Sequence, residues 1–203
     1  MNSFLNKLSP SVTDMIRMDH AHVQSAFHRY QPGATARTRQ AIVNTVCLEI
    51  EIHAQLEEEI FYPAMRALST ENELLDKSLP EHREMRRLAG ELRGMDPMSA
   101  TYNSTFMKLM RDVLHHVADE ETMLLPDAER LLGERLGELG AQMTKRRLQL
   151  AAPHASEIAV NTARAFPAMS MLLAAGTVVA GTYLFRRSFA RQVSEQPGLT
   201  GSG

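Results

Sequence analysis

The chain is predicted to be all-α: four helices gathered in a bundle, a fifth helix, and an apolar C-terminal helix. Apolar residues recur at steps of three and four through most of the first 132 positions, and strand-like alternation is nearly absent. Pro32-Gly33 and Gly94-Met-Asp-Pro97 interrupt that periodicity where turns belong. The third observation is a repeated stretch. His53-Ala-Gln-Leu-Glu57-Glu58-Glu59-Ile-Phe-Tyr-Pro63 is matched by His116-Val-Ala-Asp-Glu120-Glu121-Thr-Met-Leu-Leu-Pro126.

Helix by helix, the reading is as follows. After a polar lead, the first helix runs from Ser11 or Thr13 to Tyr30, with the seam Val12, Ile16, His20, Val23 and Phe27; His22 points away from it. The second extends from Thr35 to Ala67, kinked or nearly ended by Pro63, which lacks a backbone donor. Its seam reads Ile42, Val46, Ile50, His53, Glu57 and Ile60. Thr70 and Glu73 have the form of a capping box that starts a third helix, whose seam is Leu75, Leu79, His82, Met85, Ala89 and Leu92, bent at Pro80. The fourth spans Ser99 to Leu132 with Phe106, Leu109, Val113, His116, Glu120 and Leu124 inward, and His115 off the seam. Residues 133–165 are expected to form a weaker fifth helix, punctuated by Gly133, Gly137 and Gly140 and ending in Lys145-Arg146-Arg147, followed by a linker over 151–165.

From Phe166 to Phe185 there is no charge, and Arg164 and Arg186-Arg187 flank the stretch. Twenty helical residues rise about 30 Å, the thickness of a bilayer's hydrocarbon, so 166–187 is expected to span a membrane. The bulkier residues Tyr183 and Phe185 suit an interface, and Gly176 with Ala180 suits helix contact. The alternative is an apolar helix that packs on the bundle or pairs two copies as a homodimer. Residues 188–203 read as a disordered tail. A net charge of -2 with both signs interspersed gives no footprint for nucleic acid. The single cysteine, Cys47, excludes an intramolecular disulfide framework, fits a reducing compartment and is read as packing. The N-terminus shows no secretory signal, so the bundle is expected on the cytoplasmic side of a membrane, or otherwise in the cytoplasm.

The chemistry lies in the repeat. Positions i and i+4 of a helix sit about 40° apart, so His53 with Glu57, and His116 with Glu120, each offer one imidazole and one carboxylate to the same point. Both pairs lie on buried seams, where unpaired carboxylates cost several kcal/mol and repel one another. Something cationic should sit between them. With His20 and His82 the inward set is His20, His53, Glu57, His82, His116 and Glu120: four imidazoles and two carboxylates. A lone seam histidine is more often a hydrogen-bonded core residue, but four in register are not explained that way. Imidazole with carboxylate suits iron, manganese or zinc rather than magnesium or calcium. Two bridging carboxylates would hold a pair of ions about 3.5 to 4 Å apart, with positions left for water, an oxo bridge or a small exogenous ligand. Glu49 and Asp112, one turn before His53 and His116, are candidates to receive the free ring N–H of ligating histidines.

Asp19-His20 with Val23 and Phe27, the two repeated stretches, and Glu81-His82-Arg83 with Met85 together resemble the hemerythrin-like HHE cation-binding domain, over about residues 11–132. The resemblance implies an up-and-down four-helix bundle with a non-haem di-iron centre, oxo- or hydroxo-bridged, that meets O₂. Its ligands would be His20, His53, Glu57, His82, His116 and Glu120, both glutamates bridging. Oxygen-carrying members have a further histidine where this chain has Arg86, and losing that donor opens a coordination position. The expected function is a membrane-tethered iron protein that binds or senses O₂, NO or peroxide, or holds iron, rather than an enzyme with dedicated substrate chemistry. The alternative is a metal-stabilised interaction module with structural zinc or iron.

Overall fold

The structure, a computed structural model, describes residues 10–68 and 73–165. Helix α1 covers Val12–Arg29; the Ser11 hydroxyl caps it by accepting from the Asp14 N–H at 3.1 Å. Helix α2, Ala36–Leu56, is capped in the same way by Thr35 on the Thr38 N–H at 3.2 Å. It continues through a widened π turn, Glu57–Phe61, into α3, Tyr62–Arg66. Helix α4 is Glu73–Gly94. Helix α5, Tyr102–Asp119, passes through a second π turn, Glu120–Leu124, into α6, Leu125–Leu132. Gly133, at φ 50°, ends that rod in a conformation that favours glycine. Helix α7 is Arg135–Ala151, and a short 3₁₀ turn, Ala152–His154, leads to α8, Ala155–Ala165.

The π turns explain why neither proline ends its helix. A proline ring collides with the carbonyl four residues back. Here the bond pattern shifts one residue earlier, so that the Tyr62 N–H reaches Glu57 O and the Leu125 N–H reaches Glu120 O, and each rod continues past Pro63 or Pro126. The shift also rotates the seam. Beyond Glu57 the buried residues are Phe61 and Tyr62, while the expected Ile60 is only half-buried.

Two apolar clusters enclose the middle of the bundle. One gathers Val23, Tyr30, Val46, Ile50, Met85, Phe106 and Val113, and the other Ile16, Leu56, Phe61, Leu75, Leu125 and Leu139. Each fully buried side chain of this size contributes roughly 1.5 to 3 kcal/mol. The four seam histidines fall between the clusters along their helices. Cys47 packs in the first cluster, where burial pushes its thiol up to about 12.

Several expectations change. Leu79 is exposed, and Ser78 takes its place inward, donating to Leu74 O at 2.8 Å. Residues 151–165 are helical rather than a linker, and α8 packs along α2 with Asn161 buried. Helix α7 lies against the start of α1, so close that a Cβ on Gly140 would fall 2.0 Å from Pro10 O. Thr70, the apolar stretch 166–187 and the tail 188–203 lie outside the described residues. Among the described helices none is long and apolar enough to cross a membrane.

Candidate metal centre

Helix α1 carries His20 inward, α2 carries His53 and, at the head of the π turn, Glu57; α4 carries His82, and α5 His116 with Glu120 following. All six side chains are buried and converge. The ligand atoms of His53, Glu57, His82 and His116 lie within 4.8 Å of one another, as do those of His20, His53, Glu57 and Glu120. Glu57 Oε2 is 3.3 Å from His53 Nε2 and 3.4 Å from His82 Nε2. Glu120 Oε2 is 3.4 Å from His20 Nε2 and 3.5 Å from His116 Nε2. Each carboxylate thus reaches one imidazole from each half of the bundle, as a bridge would.

All four histidines turn Nδ1 outward to an acid on a neighbouring rod. His20 Nδ1 is 2.9 Å from Glu121, His53 Nδ1 3.4 Å from Asp19, His82 Nδ1 2.9 Å from Glu58, and His116 Nδ1 2.8 Å from Glu81. An ionised carboxylate only accepts, so Nδ1 carries the proton and Nε2 presents its lone pair to the centre. The four contacts form a closed ring: the second rod to the first, the first to the fourth, the fourth to the third, the third to the second. Three of the acids are held by cations in turn. Arg147 grips Asp19. Arg86 chelates Glu58 at 2.8 and 3.1 Å, and Lys77 lies 3.4 Å from Glu81. Burial works to raise Glu58, but His82 and Arg86 prevail and hold it at about 2. Hydrogen bonding from His116 lowers Glu81; Asp19 is lowered too, because His53 and Arg147 outweigh its burial.

The acids expected in this role do not fill it. Asp112 faces away from the imidazoles and pairs with Lys108 at 3.0 Å. Glu49 lies beside Asp19 and Arg147, its Oε2 without a hydrogen-bond partner, and burial with the nearby Asp19 charge raises it to about 7. A residue one turn back on the same helix shares its histidine's face but cannot reach around to Nδ1, which the adjacent rod covers. Arg86 stands where oxygen carriers have an extra histidine, and its guanidinium turns to Glu58 instead of the centre.

Tyr62 is the inward residue that seam analysis missed. Its hydroxyl is 3.0 Å from Glu57 Oε2, 2.8 Å from Glu120 Oε1 and 3.4 Å from His82 Nε2. In an unbroken α-helix residue i+5 points well off the face of residue i, but the π turn stacks Tyr62 over Glu57. The visible signal was Pro63, which requires a local departure from α geometry. One O–H donates once, so contact with two carboxylates requires a proton or a metal on one of them when the other accepts. Burial and the Glu120 charge push Glu57 well above the usual carboxylate range. Burial also penalises Glu120, but the imidazoles facing it, His20 foremost, keep it low. Burial holds His53 down at about 4, in its neutral, ligating form. For His20, contact with Glu120 outweighs burial and the shift is upward.

The residues fit a cation. His20 Nε2, His53 Nε2, Glu57 Oε1 and Glu120 Oε2 are buried without a hydrogen-bond partner, and His82 Nε2 faces His116 Nε2 at 3.1 Å. Lone pairs facing lone pairs in a buried site are unfavourable unless positive charge lies between them. The donor set, four imidazoles and two carboxylates, is that of a transition-metal site. Beside the histidines is a cavity of about 20 Å³ walled by Val23, Ile50, Ala54, Met85, Val113 and Val117, room for one or two heavy atoms.

Comparison with known proteins agrees with this geometry. A DNA nickase of Nostoc sp. is 28% identical over 119 residues, covering 59% of this chain and 34% of that protein. The chain therefore spans about a third of that relative's length. The crystal structure of a hemerythrin HHE cation binding domain-containing protein from Mycobacterium kansasii shares the fold, with a TM-score of 0.59 and 19% identity, covering 77% of this chain and 94% of that one. The family described as the hemerythrin HHE cation binding domain matches residues 11–157, past the limit of 132 set by the repeated stretches and into α8. Such domains bind metal, typically iron. With nearly three quarters of its length matched and the six donors gathered between its helices, this chain belongs to the hemerythrin HHE cation-binding family.

Proposed function

We propose that the chain is a non-haem di-iron protein that binds or senses O₂, NO or peroxide, or holds iron, tethered at a membrane. His20 and His53 would hold one ion, His82 and His116 the other, and Glu57 and Glu120 would bridge them. The bound pair supplies redox-active positions for a small exogenous ligand. The protein's part is to fix each imidazole through its Nδ1 acid, to exclude water, and to place the Tyr62 hydroxyl as a hydrogen-bond donor at the carboxylates. The observation that carries the reading is the small cavity between the four histidines and a wall of apolar side chains, which has room for a diatomic or peroxide and none for an organic substrate. Twenty uncharged residues before Arg186-Arg187 support a membrane anchor, with the bundle on the cytoplasmic face.

The test is metal content and optical spectrum of full-length protein purified without oxygen, then exposed to air, NO or peroxide. Two irons per chain and a near-ultraviolet charge-transfer band that appears on exposure support the reading. Bound zinc with a silent spectrum would replace it with a metal-stabilised interaction module. Extraction of the full chain without detergent would overturn the membrane anchor and favour the apolar segment as a dimer contact.

A further inference from the structure

We propose that Arg147, on α7, is a positioning residue for the metal centre, and that cation binding and the docking of α7 on the bundle are linked through Arg147, Asp19 and His53. The inference rests on His53 being a ligand.

The linkage is read from shared atoms. Asp19 Oδ2, the oxygen that accepts from His53 Nδ1, is the same oxygen gripped by the Arg147 guanidinium. Asp19 is buried, and Glu49 stands beside it with an unpartnered oxygen, so Arg147 balances two acids at once. The equivalent acid in the other half, Glu81, takes its cation from Lys77 one turn away on its own helix, and Glu58 takes Arg86 from within the four rods. The Asp19 contact therefore leaves the bundle for an outer helix. Helix α7 is built to bring Arg147 there. Gly140 lets its backbone approach Pro10 and Ser11, Leu139 and Met143 are buried, and the Thr144 hydroxyl lies 3.2 Å from Met15 Sδ.

Asp19, whose position Arg147 fixes, would accept a stronger hydrogen bond from His53 Nδ1–H when His53 Nε2 holds a cation. Partners in this place typically change metal affinity 10- to 100-fold, and Arg147 acts one contact further out. By reciprocity, whatever factor docked α7 adds to cation affinity, the cation adds to docking.

The experiment uses the full chain and ferrous iron without oxygen. Affinity is measured by chelator competition, and hydrogen exchange is followed over residues 135–151 with and without iron. Arg147→Gln is expected to weaken iron binding about tenfold and to abolish the protection that iron gives α7. Arg147→Lys should restore most of both. Arg146→Gln, which removes an exposed chelate on Glu59, should leave both near wild type. Iron binding by Arg147→Gln at wild-type affinity, or α7 exchange in the wild type indifferent to iron, overturns the proposal. Should Arg147→Gln fail to fold, Arg147→Lys and the wild-type exchange data decide it. Wild-type iron affinity in His53→Ala would instead overturn the ligand assignment beneath it.

Discussion

The half of the bundle formed by α1 to α3 and the half formed by α4 to α6 carry the same chemistry at the same spacing. Asp19-His20 answers to Glu81-His82, and His53, Glu57 and Glu58 to His116, Glu120 and Glu121. The hydrogen-bond ring obeys this two-fold pattern, since Asp19 takes His53 as Glu81 takes His116, and Glu58 takes His82 as Glu121 takes His20. Beyond the different cations on Asp19 and Glu81, three places break it. Tyr62, over the carboxylates, corresponds to the apolar Leu125. Glu58 is chelated by Arg86, while Glu121 stands half-exposed against His20. Glu49 is half-buried beside Asp19, but its counterpart Asp112 is paired with Lys108. The ligand shell is therefore symmetric and its surroundings are not, so any functional difference between two bound ions must come from the surroundings.

The largest effect should test the symmetry itself. The double variant His53→Ala, His116→Ala is expected to lose most of its metal and, with Glu57 and Glu120 left uncompensated, about 3 to 5 kcal/mol of stability, read by metal analysis and thermal unfolding. The two single variants should lose metal to a similar degree, and a marked inequality would break the equivalence of the halves. Next, Glu58→Gln should weaken metal binding by about 10- to 100-fold in chelator competition, and Glu121→Gln by less, because among the described residues no cation fixes the latter acid. Equal losses would show that Arg86 adds nothing.

Tyr62→Phe should cost the metal-free protein about 1 to 3 kcal/mol in denaturant unfolding by removing the donor to two buried carboxylates. Substituting its counterpart, Leu125→Met, should cost less than about 1.5 kcal/mol. A further effect depends on pH. Glu49 rises from 4.5 to about 7 on folding, so the native state binds its proton more tightly than the unfolded chain does. Its contribution is full below pH 4.5 and is lost as the pH climbs to about 7. Metal-free Glu49→Gln should therefore be more stable than wild type at pH 8, by up to about 3 kcal/mol, and equal to it at pH 4. Asp112→Asn, at a surface ion pair, should stay within about 0.5 kcal/mol at both.

The six donors were legible because each lies on the apolar stripe of its own helix, and a stripe is a property of one stretch of chain. The acids behind the histidines were not, because each belongs to a different rod. Glu58 and Glu121 stood in plain view as the second acid of the repeat, yet nothing within one helix says that they reach the imidazole of the next. Tyr62 was hidden for another reason. A regular 3.6-residue period places it off the site, and only the π turn forced by Pro63 brings it round. Pro153 and Pro167 make 151–165 read as a linker, and the packing of α8 along α2 supplies what local pattern lacks.

Cys47 supplies a built-in clock for unfolding. A sole thiol, buried at the foot of a pocket lined by Glu51, Arg86 and Arg93 and raised to about 12, has negligible thiolate at neutral pH and reacts only as the helices around it part. Pulses of a thiol-specific label on the unaltered chain would therefore time that parting, and the slowing of the label on adding iron would report how strongly the ion holds these rods together.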